Sequence, residues 1–176
     1  MKKWLVLDFD GVINQCGAFL NQKPTWGDER STVACFKPVT YSPALIMLLK
    51  DLDNAGVSIV WLSTLHHRTT IIGGALGLPT LPYIPEAATT GDGWWKISSF
   101  KKFLLDQVNV GDRIVWVDDD LPGYSQDDEA SVDELRMPTL SLVSPDATKG
   151  LSPNEFLKVL KHLEVSLPRD LVDSTA

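Results

Sequence analysis

Apolar runs that stop abruptly on acids or hydroxyls recur along this chain. Residues 3–9 form a β-branched and aromatic run that ends on Asp8, Asp10 and Gly11, the pattern of a buried strand leading into a turn. Residues 57–62 form a second run, closed by Ser63-Thr64, and residues 114–117 another, closed by Asp118-Asp119-Asp120. Shorter runs at 81–84 and 139–143 predict two further strands.

Between these runs the period changes to that of a helix. Ser42-Pro43 opens one, Ser42 capping free amides and Pro43 filling a position whose amide has no partner. Leu45, Leu48, Leu49 and Leu52 follow on one face until Gly56. A weaker helix is predicted over 68–76, where Gly73 and Gly74 each cost about 1 kcal/mol relative to alanine. Over 95–107, Ile97, Phe100, Phe103 and Leu104 share a face and leave Lys96 at the start. Ser152-Pro153-Asn154-Glu155 reads as a capping box opening a last helix, with Phe156, Val159, Leu160 and Leu163 inward. Residues 12–41 have no period and collect Gly17, Pro24, Gly27 and Pro38, which predicts an irregular flap with room for short strands. Residues 87–93 read as a polar loop and 169–176 as a flexible tail.

Strands alternating with helices predict one α/β domain over 1–168, a Rossmann-like three-layer sandwich whose mainly parallel sheet is covered on both faces. Ligands of such sheets bind beyond the carboxyl ends of the strands. That is the edge to which three of these strands deliver acids or hydroxyls.

The 176 residues suit one domain with a real core, and 44% apolar with 22% charged residues is ordinary for a soluble protein. The net charge of −7 disfavours strong non-specific nucleic-acid binding, although a cation and a few lysines can reverse the potential inside one cleft. The apolar run at the start is broken at Asp8, too short for a secretory core or a membrane span. Cys16 and Cys35 are close enough in sequence to pair, but the preferred reading is two free thiols in the reducing cytoplasm, with no membrane partner.

Each chemical motif alone is modest. Two carboxylates at a strand end followed by glycine, as in Asp8-Phe9-Asp10-Gly11, also occur in calcium loops and solvated turns. A serine at a strand end is usually a turn residue, and most lysines are solvated. Three acids directly after an apolar strand repel one another unless a cation sits among them. A hard divalent ion such as Mg2+, which prefers oxygen ligands and keeps several waters, suits that set.

Taken in order, Asp8-Phe9-Asp10-Gly11, Ser63, Lys96 and Asp118-Asp119 resemble the four motifs of the haloacid dehalogenase (HAD) superfamily, over most of the chain. The resemblance implies a five-stranded sheet in the order 5-4-1-2-3, the flap not being counted, with a short flap in place of a large cap. It implies a phosphatase in which Asp8 is the nucleophile, forming an aspartyl phosphate, and Asp10 the general acid and base. Lys96 would neutralise Asp8 and the phosphoryl oxygens, and Ser63 would position those oxygens. Asp8, the Asp10 carbonyl, Asp118 and Asp119 would hold magnesium, with Asp120 assigned no role. Dehalogenases of the superfamily lack the second acid, and its phosphoglucomutases need a sugar-phosphate cap, so phosphatase is the reading that fits.

The flap leaves an open site, compatible with a bulky or polymeric phosphate, and the motif set is similar to small capless members, including HAD domains attached to RNA-repair assemblies. The substrate expected is a phosphorylated small molecule or a nucleic-acid end. Gly11, Thr64, His66 and Trp94 are the candidate substrate contacts. Trp26 and the Trp94-Trp95 pair either stack on a planar group or pack on the core. A phosphate- or partner-binding module without turnover, and a phosphotransferase, remain the alternatives.

Overall fold

Alternation along Trp4-Leu5-Val6-Leu7 sends apolar side chains to opposite faces of the first strand, β1 (Lys3–Leu7), and both faces are covered. In this computed structural model, which describes residues 1–17, 24–27, 30–34, 37–88, 94–124, 135 and 137–167, β1 lies inside a four-stranded parallel sheet. Its neighbours are β4 (Ser58–Trp61) and β5 (Arg113–Val117), and β6 (Leu140–Val143) pairs with β5, giving the order β4-β1-β5-β6. The flap contributes a separate antiparallel hairpin, β2 (Ser31–Ala34) with β3 (Pro38–Tyr41).

Leu5, Leu7, Ile59, Trp61, Val115 and Val117 face α1 (Pro43–Asn54), α2 (Arg68–Ala75) and α4 (Pro153–Leu163). Trp4, Val6, Val60, Ile114 and Trp116 face α3 (Trp95–Gln107) through Ile97, Phe100 and Phe103. Helices on both faces bury the sheet, which is why its strands read as nearly continuous apolar runs. The caps act as read. The Ser42 hydroxyl accepts from the Leu45 amide at 3.3 Å, and Ser152 and Glu155 form the reciprocal capping box.

The predicted strand at 81–84 is not a full strand. Tyr83 makes a single parallel bridge to Trp61, the Trp61 amide donating to the Pro82 carbonyl and the Ile84 amide to the Trp61 carbonyl. Pro82 and Pro85 have no amide to donate, so the ladder cannot extend. Trp26, a candidate stacking platform, is instead core: its indole donates to the Leu151 carbonyl at 2.8 Å and its ring meets Phe156 edge-on at 5.8 Å. Among the described residues no helix is long and apolar enough to cross a membrane. Cys16 is a free thiol. Cys35, much of the loop before Trp94 and the tail beyond 167 lie outside the described residues.

Register places the site. Leu7 pairs with Trp61 and with Val117, and Val117 with Val143, so four strands finish level with one another. Whatever follows them in sequence emerges along one edge.

Candidate active site

Asp8, Ser63 and Asp118 are the residues that emerge there. The strand pattern carries on for one more rung, the Asp8 amide donating to the Val117 carbonyl and the Asp118 amide to the Val143 carbonyl. Both carboxylates are thereby tethered to the sheet through their main chain. Lys96, one residue into α3, reaches the same edge from the other layer. Its ammonium donates to Asp8 Oδ2 at 2.5 Å and to Asp118 Oδ2 at 2.7 Å, and all three side chains are buried. A lysine buried to 1% exposure is rare without such partners.

The remaining oxygens are also held. Asp8 Oδ1 accepts from the Phe9 amide at 2.6 Å, and the Ser63 hydroxyl lies near enough to the Asp8 carboxylate to favour its charged form slightly. Asp118 Oδ1 accepts from the Asp120 amide at 3.0 Å, so Asp120 acts through its main chain while its side chain faces solvent. Asp119 completes a group in which Asp8, Asp118 and Asp119 each offer a carboxylate oxygen within 4.8 Å of the others.

Burial pushes the Asp8 carboxyl up, against the opposing pull of Lys96. Burial and then the Asp8 charge raise Asp118 to about 7. Burial, with Asp120 and Asp8 behind it, raises Asp119 to about 6. For Lys96, burial pulls the ammonium down, but Asp8 and Asp118 together outweigh it and hold its pKa above the ordinary lysine value. Three carboxylates against one ammonium leave a deficit of two positive charges. A hard divalent cation with oxygen preference fits both that deficit and the donor set.

Gly11 is required at its position. Its φ is +72°, and a Cβ there would lie 2.1 Å from the Asp119 carboxyl carbon. A Gly11→Ala variant is expected to lose roughly 1–2 kcal/mol from the left-handed backbone alone, and more from displacing Asp119. Urea denaturation reads this directly; an unchanged midpoint would show that Asp119 does not sit against Gly11.

Asp10 stands apart from the three acids. Its carboxylate accepts from Lys37 Nζ on both oxygens, at 2.7 and 2.5 Å, and from Asn14 Nδ2 at 2.7 Å. The magnesium contact expected of this residue is through its main-chain carbonyl and not through this carboxylate. Lys37 and Asn14 are the site residues that sequence reasoning missed. No local signal marks a lysine in an aperiodic flap.

The candidate substrate contacts divide. Thr64 is exposed beside Ser63. His66 takes a left-handed backbone, φ 46°, and its ring lies 5.2 Å from that of Trp95. Trp94 stacks on Trp116 at 5.6 Å, with the Lys96 ammonium 5.2 Å from its own ring centre. One Trp94 face is thus committed to the core, and the ring packs beside Lys96. Comparison of the chain with family models, curated proteins and solved structures returns no match.

Proposed function

We propose that this chain is a magnesium-dependent phosphohydrolase of HAD type, acting on a phosphomonoester of a small molecule or a nucleic-acid end. The observation that carries the reading is the buried Lys96 bridging Asp8 and Asp118, with Asp119 in reach, at the carboxyl ends of adjacent parallel strands. The order β4-β1-β5-β6 of the four paired parallel strands is compatible with a Rossmann-like sheet of that kind.

Asp8 attacks phosphorus through a carboxylate oxygen, forming one O–P bond as the bond to the leaving oxygen breaks, and the leaving oxygen takes a proton from Asp10. Water then attacks the aspartyl phosphate, Asp10 takes the water proton, and Asp8 is regenerated with release of phosphate. Lys96 holds the attacking carboxylate in place and offsets its repulsion toward the incoming phosphoryl group. Ser63 orients Asp8 and the phosphoryl oxygens. Asp8, Asp118, Asp119 and the Asp10 carbonyl would hold magnesium, which when bound would supply the charge neutralisation that lets a dianion approach these carboxylates.

The test is phosphate release from p-nitrophenyl phosphate, mononucleotides and end-phosphorylated oligonucleotides. Release that requires magnesium and stops with EDTA supports the reading, and magnesium-independent or absent release across the panel overturns it.

The raised carboxyls give a second expectation. A group whose folded pKa lies above its unfolded value of 3.8 stabilises the fold at low pH and loses that contribution as pH rises through the folded value, here about 6 for Asp119 and about 7 for Asp118. The metal-free protein therefore loses stability as pH rises across this window. Magnesium, which needs the deprotonated carboxylates, restores it there. Saturating magnesium should raise the melting temperature by several degrees at about pH 8 and by little at about pH 5.5. Equal shifts at the two pH values would contradict this assignment of the ligands.

A further inference from the structure

Lys37 belongs to none of the ordered motifs, yet it makes the shortest contact to Asp10 among the described residues. Asp10 lies in an irregular turn after β1, a third exposed, where neither helix nor sheet fixes its rotamer. Its side-chain anchors are Lys37, on both oxygens, and Asn14, with the Cys16 thiol a longer third contact to Oδ1 at 3.8 Å. Asn14 is itself held by the hairpin, its Oδ1 accepting from the Thr40 amide at 2.9 Å, and the next residue, Gln15, donates its amide to the Thr40 carbonyl at 2.8 Å. Lys37 stands immediately before β3 and Thr40 lies within it. The two closest anchors, Lys37 and Asn14, therefore trace to the β2–β3 hairpin.

Proton transfer requires placement within hydrogen-bond reach of the reacting oxygen, and small misplacements cost large factors in rate. An ion pair whose partners are each about a third exposed contributes little to stability. The fixed plane of the Asp10 carboxylate is where this pair has its effect, and an ammonium with three donors keeps one oxygen when the other carries a proton.

We propose that Lys37 is the positioning residue for Asp10, so that the flap hairpin orients the acid/base of the reaction. The inference rests on the phosphohydrolase reading above. Lys37 does not itself take the transferred proton. It sets the direction from which Asp10 delivers it.

The experiment measures kcat and KM for wild type, Lys37→Met, Lys37→Gln and Lys37→Arg on the best aryl and best alkyl phosphate of the panel, with and without Asp10→Asn. Protonation of the leaving oxygen matters more for an alkyl than for an aryl leaving group. Lys37→Met and Lys37→Gln should lower kcat on the alkyl ester by about 10–100-fold with KM changed by less than about twofold, and lower it less on the aryl ester. Lys37→Arg should recover part of the loss, and in the Asp10→Asn background Lys37→Met should have almost no further effect. An unchanged kcat, a rise in KM alone, or a full additional loss in the Asp10→Asn background would each overturn the assignment. Asp8→Asn run in parallel separates the two levels. If it retains release, the phosphohydrolase reading fails, whereas if it abolishes release while the Lys37 variants behave as wild type, only the role of Lys37 fails.

Discussion

Asp8→Asn is expected to reduce phosphate release by about 10^4-fold or more while leaving the fold in place. The substitution keeps shape and the oxygen that accepts from the Phe9 amide, and Lys96 keeps Asp118 as its partner. What disappears is the anionic oxygen that the proposed mechanism uses to form the bond to phosphorus, and on that proposal no neighbour can replace it. Asp118 is fully buried and engaged by Lys96 and the Asp120 amide. Asp10→Asn should cost less, about 10^2–10^4-fold, because it removes proton transfer and not the nucleophile. Single-turnover phosphate release, with melting curves as a control for folding, reads both. Residual Asp8→Asn activity within about tenfold of wild type would show that another group attacks.

Lys96→Met is expected to have the largest effect on stability of any single charge removal at this site. It leaves Asp8 and Asp118 facing each other at a buried edge with no counter-ion, and breaking such a pair from one side costs about 3–5 kcal/mol. The loss depends on pH with a defined sign. Without Lys96 both carboxyls shift further upward, so protonation relieves part of the penalty toward acidic pH, whereas at about pH 8 the fold must either ionise them unpaired or hold protons against the solvent. Urea denaturation of the metal-free variant should show a deficit that widens from about pH 5.5 to about pH 8. Stability equal to wild type at the higher pH would mean that the ammonium is not the counter-charge the geometry indicates. Activity should be lost at both.

Much of this was legible in the chain, and for a common reason. Asp8, Ser63, Asp118 and Asp119 each follow an apolar run, so strand parity and register carry them to one edge without any knowledge of their partners. Lys96 was legible because the periodicity of Ile97, Phe100 and Phe103 sets where α3 begins, and the helix spans the expected Trp95–Gln107. Local sequence failed where local periodicity does not govern structure. The run at 81–84 has the apolar content of a strand, but prolines 82 and 85 break its ladder to a single bridge. The hairpin from Ser31 to Tyr41 has only short, half-buried strands, so its pairing leaves almost no alternation to read. Lys37 and Asn14 meet Asp10 through that hairpin, a long-range contact that neither residue type announces. Asp120 contributes an amide, which no side-chain motif can reveal.

The most direct measurement is to quench the protein in acid during turnover of its best substrate with magnesium and to map the peptides by mass spectrometry. The account predicts one phosphoryl group, labile to hydroxylamine as an acyl phosphate is, on the peptide that contains Asp8, and none on the Asp8→Asn protein. Turnover with the phosphoryl group on a different residue, or with no covalent adduct under conditions that trap a known acyl phosphate, would contradict it.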